Sequence, residues 1–146
     1  MSKPTSTAEH TADRLHSAAI HLLRRVRKQD AATKEGPARL SALSVLVFGG
    51  PMSLGGLAAA EQVKPPTMTR IVTGLERSAL AERVPDPADA RRVRIRATPK
   101  GVRLLQGARK LRVGYLAAQL EKLTAKERAS LGEAAEILDR LLREWE

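Results

Sequence analysis

The chain has 146 residues, no cysteine, one Phe, one Tyr, one Trp and a formal net charge of +10. Without thiols it has no disulfides, thiolate metal sites or thiol redox sensing, and three aromatics are too few for a surface that stacks single-stranded bases. The charge is concentrated: residues 64–103 hold ten Lys/Arg against four Asp/Glu, whereas residues 104–146 hold eight against seven.

A local basic patch is the footprint of a phosphate backbone, weighed against a merely solvated basic face. Hydrophobic residues make up 42% of the chain, enough for a core. No apolar run reaches the ~20 residues that span a bilayer. "MSKPTSTAEHTADRLH" also lacks the apolar centre of a secretory signal. The expectation is a cytoplasmic protein, with no membrane partner, whose N-terminus is a short frayed tail.

From about Thr7 to Asp30, Leu15, Ala18, Ala19, Leu22, Leu23 and Val26 recur at helical spacing. Gly36 and Pro37 interrupt the pattern. A second helix is predicted from about Ala38 to Phe48, burying Leu40, Leu43 and Val47, and Gly49, Gly50 and Pro51 end it. Ser53 is placed to cap a third helix, "SLGGLAAAEQV". A fourth runs from Pro65 to about Ser78. Pro65 and Pro66 suit a first turn, where backbone N–H groups have no intrahelical partner. Met68, Ile71, Val72 and Leu75 then repeat at i, i+3, i+4, i+7, which assigns Met68 to the core. The outer face carries Thr67, Thr69, Arg70, Thr73 and Arg77.

"LAERV" and "RRVRIRAT" read as antiparallel strands, with Asp86, Pro87 and Asp89 supplying the turn between them. Alternation sends Val93 and Ile95 to one face and Arg92, Arg94 and Arg96 to the other. Such a row of like charges repels itself, which calls for an anionic partner. Thr98 and Pro99 start a fifth helix that passes Leu104, Leu105, Ala108, Leu111, Tyr115 and Leu116 to about Leu123. Thr124 and Glu127 form a capping box for a sixth. Its apolar seam is Leu131, Ala134, Leu138, Leu141 and Trp145.

The predicted fold is mainly α with a small β wing: a winged helix-turn-helix with flanking dimerisation helices. Residues 1–36 form the tail and first dimerisation helix, 37–98 the winged-helix lobe, and 99–146 the C-terminal dimerisation helices. A winged helix alone does not need three further amphipathic helices. Their apolar residues Leu15, Leu22, Leu116, Leu131, Leu138, Leu141 and Trp145 are expected to bury against a second copy in a symmetric homodimer.

Other chemistries fit poorly. In "GGPMSLGG", Gly50 and Gly55 have the spacing of a triphosphate loop, but Gly56 stands where Lys must be and no Ser/Thr follows. His10, His16 and His21 are six and five residues apart, so no pair shares a helix face at i, i+4. With no Cys, no metal site and no cofactor are expected. No catalytic motif occurs, so an enzyme is not expected. "RRVRK", Arg24 to Lys28, is a second basic run that suits either flanking DNA or a solvated helix face.

The segment "LGGLAAAEQVKPPTMTRIVTGLERSALAERVPDPADARRVRIRATPKG" resembles the MarR family of bacterial transcriptional regulators. The pieces that carry the resemblance are Leu57–Ala58, "PPTMTRIVTGLE", and "DARR" followed by "TPKG". It covers about Leu40 to Gly101, and the flanking helices by layout only. Three positions depart from the family pattern. Lys64 stands where a capping Ser, Thr or Asp is usual, Ala79 stands where Gly is usual, and Pro66 stiffens the turn that meets the bases.

The resemblance implies a dimer of winged helices on double-stranded DNA with a pseudo-palindromic operator. The helix from Pro65 would enter the major groove, with Arg70 facing a guanine edge. The wing would reach the minor groove, where Asp89 aims Arg91 and the arginine meets enhanced negative potential. Arg92 and Arg94 would touch phosphates. The implied DNA-facing set is Ser53, Pro66, Thr67, Thr69, Arg70, Thr73, Arg77, Asp89, Arg91, Arg92 and Arg94. The family also implies a repressor that releases DNA when a small aromatic or acidic effector enters a cleft. That cleft would lie between the first helix, the second helix and the start of the fifth. The absent cysteines argue against the family's peroxide-sensing branch. Two alternatives differ in class: a basic architectural protein that coats DNA or RNA without sequence preference, and a dimeric interaction protein that has lost DNA binding.

Overall fold

The computed structural model describes residues 7–145, and the frayed tail expected before Thr7 lies outside them. Helix α1 spans Thr7–Arg27 and then tightens into a 3-10 segment, Lys28–Thr33, so the predicted continuous helix to Asp30 changes pitch in its last turn. Lys34 ends that segment in the left-handed region at φ 59°. Helix α2, Pro37–Gly49, starts on a proline and buries Leu40, Ala42, Leu43 and Leu46; Val47 is half-buried, not buried. Gly50, at φ 78°, turns the chain out of α2.

Helix α3, Leu54–Ala60, is capped as expected: Ser53 Oγ accepts the Gly56 N–H at 3.0 Å. Helix α4, Pro65–Arg77, has no side-chain cap at Lys64. The cap is dispensable, because Pro65 and Pro66 have no N–H to satisfy and the Thr67 N–H already donates to Lys64 O. Strands β1 (Ala81–Pro85) and β2 (Val93–Ala97) pair antiparallel, with Arg83 opposite Ile95. Met52 adds a bridge to the sheet, exchanging hydrogen bonds of 3.1 and 2.8 Å with Ile95. Helix α5 spans Pro99–Leu120, three residues shorter than predicted. Helix α6, Ala125–Glu144, opens on the Thr124–Glu127 capping box, whose hydrogen bonds hold the Glu127 carboxyl below the usual carboxylate range.

The core joins α2, α3, α4, the sheet and the start of α5. Leu43, Leu57, Met68, Val72, Leu75, Leu80 and Ile95 are its largest fully buried side chains, each worth about 1.5–3 kcal/mol of burial. By contrast α1 and α6 contain no buried residue among those described.

Both helices of the helix-turn-helix end alike. After α4, Leu80 N–H reaches Leu75 O and Ala79 N–H reaches Glu76 O; after α3, Val63 N–H reaches Ala58 O and Gln62 N–H reaches Ala59 O. This six-to-one and five-to-two pairing needs a left-handed residue, for which glycine is usual. Here Ala79 sits at φ 58° and Gln62 at φ 54°. The α4 turn is clamped from outside by "TPKG". Thr98 Oγ1 donates to Ala79 O at 2.6 Å, Thr98 N–H to Leu80 O at 3.0 Å, and Lys100 Nζ to Ser78 O at 3.0 Å. Gly101 lies so close beneath that any Cβ there would overlap the Leu80 carbonyl oxygen. Since the left-handed conformation strains an alanine, Ala79→Gly is expected to stabilise the protein by about 0.5–1 kcal/mol. A thermal unfolding scan reads this as a raised midpoint with DNA affinity unchanged.

Candidate nucleic-acid interface

The apolar side of α4 is fixed by the core, which leaves one face outward. Pro66, Thr67, Thr69, Arg70 and Arg77 are exposed there and Thr73 is half-buried. Thr69 Oγ1 donates to Pro65 O at 3.0 Å and Thr73 Oγ1 to Thr69 O at 2.8 Å. Both hydroxyl protons are therefore engaged, which leaves the oxygens as acceptors and the methyls as apolar contacts. Among the described residues, Arg70 and Arg77 have no ion-pair partner. In Ser53 the roles are split differently: its oxygen caps α3, and among the described residues its hydroxyl proton has no acceptor.

The wing loop is closed by hydrogen bonds within itself. Asp86 N–H donates to Arg92 O and Arg92 N–H to Asp89 O, both at 2.9 Å, which closes the loop. Asp86 Oδ1 accepts the Ala88 N–H at 2.9 Å. At the tip, Asp89 Oδ1 accepts the Arg91 N–H at 3.1 Å and Nε at 3.2 Å, and Oδ2 lies 3.4 Å from Nη2. The Arg91 side chain is nonetheless 91% exposed, so the carboxylate aims the guanidinium without covering it. Bonding to the Arg91 side chain, and then to its N–H, holds the Asp89 carboxyl below the usual carboxylate range. The Asp86 carboxyl is also lowered, first by the Ala88 N–H and then by Arg94 and Arg92.

Two sequence expectations change here. Arg92 lies in the turn before β2, not on a strand face with Arg94 and Arg96. The arginine row also has counter-charges within the chain: Arg94 pairs with Asp86 at 3.3 Å, Arg96 with Glu82, and Arg92 approaches Asp89 at 3.9 Å. The Arg96 and Arg92 pairs are largely exposed and Asp86 is partly covered; the surface stays basic, but self-repulsion alone does not demand an external anion. Val93 is 49% exposed although Ile95, two residues on, is 1% exposed, because the sheet extends past the core at that end.

A cavity of about 630 Å³ lies between the end of α1, the 3-10 segment, the start of α2 and Arg112 of α5. The predicted cleft involved the start of α5; Arg112 is in its middle. Within the cavity wall Arg112 Nε stands 3.0 Å from Asp30 Oδ1, yet neither atom completes an aligned hydrogen bond, so charge alone holds the pair. No local pattern in the sequence joins these two residues. Of the predicted dimer residues, Leu15, Leu22, Leu131, Leu141 and Trp145 are exposed, and Leu116 and Leu138 half-buried. Among the described residues there is no cluster of three His, Cys, Asp or Glu side chains, and no helix is long and apolar enough to cross a membrane.

The sequence pattern of the MarR family matches residues 37–93, from the start of α2 into β2. An HTH-type transcriptional regulator of Mycobacterium bovis is 35% identical over 133 residues, 91% of this chain and 93% of that protein. This chain belongs to the MarR family. As a MarR family member it is a DNA-binding transcriptional regulator, and the family's members are not enzymes. Among solved structures, a transcriptional regulator of Thermotoga maritima shares the fold at a TM-score of 0.82 and 22% identity, over 93% of this chain and 96% of that one. A MepR variant from S. aureus, bound to an oligodeoxyribonucleotide, shares it at 0.69 and 18% identity, over 90% and 97%.

Proposed function

We propose that this MarR family protein is a cytoplasmic homodimer that reads a pseudo-palindromic operator, with half-sites about one helical turn apart. The observation that carries the reading is the wing tip. An almost fully exposed Arg91 is aimed by Asp89, on the same chain as an α4 helix whose outward Arg70 has no ion-pair partner among the described residues. In this reading α4 lies in the major groove, with Arg70 on a guanine edge and Thr67, Thr69, Thr73 and Arg77 beside it. Pro66 fixes the approach of the helix. Ser53, Arg92 and Arg94 meet phosphates, and Arg91 enters the minor groove. The oligonucleotide-bound MepR variant, which has the same fold, supports the reading.

The division into a first dimerisation helix, a lobe over 37–98 and dimerisation helices over 99–146 is part of the proposal. Its support is that α1 and α6 hold no fully buried residue among those described while displaying Leu15, Leu22, Leu131, Leu141 and Trp145. These faces, with Leu116 and Leu138, match what a symmetric interface buries. The protein then acts as a repressor. A small aromatic or acidic effector in the 630 Å³ cavity would favour a lobe spacing that no longer fits the grooves.

Competition between an operator duplex, selected from a random pool, and a shuffled duplex of equal length tests the reading. The expected preference is about a thousandfold or more at fixed salt. Equal binding to both duplexes would replace it with an architectural, sequence-independent role.

A further inference from the structure

We propose that Arg39 is a positioning residue for the DNA-reading helix and that a polar chain starting on α5 sets its place; this rests on α4 being the reading helix. Gly74 lies in the middle of α4 and is buried against α2. A glycine there gives up helix stability relative to alanine, and the space it frees is filled. A Cβ at position 74 would overlap Arg39 Nε and come within 2.5 Å of Cζ and 2.6 Å of Nη2. The planar Arg39 guanidinium, reaching over from α2, therefore occupies the space that a side chain at position 74 would fill and packs against α4 there.

The other side of the guanidinium is held. Arg39 Nη1 lies 3.2 Å from Glu35 Oε2, and the Glu35 side chain is only 10% exposed. The Glu35 N–H donates to Thr33 Oγ1 at 3.1 Å, and Thr33 Oγ1 donates to Asp30 O at 2.7 Å. Asp30 in turn faces Arg112 of α5 at 3.0 Å through the misaligned ion pair. Backbone and side-chain contacts thus lead from α5 through the 3-10 segment and α2 toward α4, the Arg112–Asp30 step being an ion pair and not a hydrogen bond. Asp30, Glu35 and Arg112 also line the cavity.

Arg39 sits over Gly74 beside Glu35, and its side chain is 43% exposed, so water can take it when Glu35 lets go. In the proposal, whatever draws Glu35 away loosens Arg39 from Gly74 and, with it, the seat of α4.

The test uses the full chain, a duplex selected by the unaltered protein and a shuffled duplex at one salt concentration, well below the unfolding midpoint. Arg39→Ala is expected to lower the ratio of specific to shuffled affinity about tenfold, and Glu35→Gln to lower it in the same direction. Gly74→Ala puts a methyl where Arg39 sits, so it should lower the ratio in the unaltered chain. In the Arg39→Ala chain it should cost at least about fivefold less, because the space is then empty. A residue that served stability alone would move the unfolding midpoint and leave this ratio unchanged. An unchanged ratio in Arg39→Ala, or full additivity of the two substitutions, overturns the proposal. If the unaltered protein selects no duplex at all, the α4 reading itself falls, and the inference with it.

Discussion

Replacing Leu138 and Leu141 with Glu is expected to turn the protein into a monomer and to reduce operator affinity by 10²- to 10⁴-fold. In the single chain Leu141 is exposed and Leu138 half-buried on α6, a helix with no buried residue among those described. The two substitutions therefore disturb little within one copy. In the proposed dimer they place four carboxylates, two from each copy, in an apolar interface, and an unpaired buried charge costs several kcal/mol. The loss of DNA affinity follows from valency: a monomer engages one half-site and forfeits the intramolecular second contact. Light scattering coupled to gel filtration reads the mass, and circular dichroism checks that the helices remain. A folded dimer of unchanged mass would put the interface elsewhere.

Arg91→Ala is expected to weaken operator binding by about 10- to 100-fold while the dimer and the unfolding midpoint stay as they were. One charge-assisted contact to DNA is worth about 1–3 kcal/mol, and a side chain exposed to 91% contributes little to folding. Asp89→Asn should fall between the two proteins, since it removes the aiming charge and keeps the arginine.

The lowered Asp89 and Asp86 carboxyls add a pH expectation. A carboxyl whose folded value is depressed supports the wing at every pH above its ordinary value near 4, and loses that support only as pH falls through the folded value. Between pH 5 and pH 8 the wing charge is therefore constant. Changes in DNA affinity across that window must come from other groups. An Arg91→Ala protein that binds as tightly as the unaltered one would remove the wing from the mechanism.

What the sequence made legible was local. The Met68–Val72–Leu75 spacing located α4, Thr124–Glu127 located the start of α6, and Asp89 beside Arg91 located a wing tip that the structure folds into one hydrogen-bonded turn. Ala79 stood out in the sequence because the position favours glycine, and the left-handed φ of 58° is there. Gln62 occupies the same place after α3 and gives no sequence signal, because a single glutamine carries no pattern. The strand reading of Arg92 failed for a related reason. Period-two alternation cannot say where pairing begins, and here the Asp86–Arg92 closure places that residue in the turn. Contacts across the fold were out of reach. Asp30 and Arg112 are far apart in sequence, and the packing of Arg39 over Gly74 depends on the α2–α4 crossing. Glu35 and Arg39 did carry a signal, an i, i+4 pair, but Gly36 and Pro37 between them concealed it.

The most direct test of the central claim is binding to the DNA just upstream of this protein's own gene, against a shuffled duplex of equal length, across a salt series. A sequence-specific regulator that controls its own gene forms a tight complex with the upstream duplex alone. Its affinity stays above that for shuffled DNA at every salt concentration, because base contacts add a salt-insensitive part to the phosphate contacts that salt weakens. Equal affinities that fall together as salt rises would contradict the account and leave only a basic surface on a phosphate backbone.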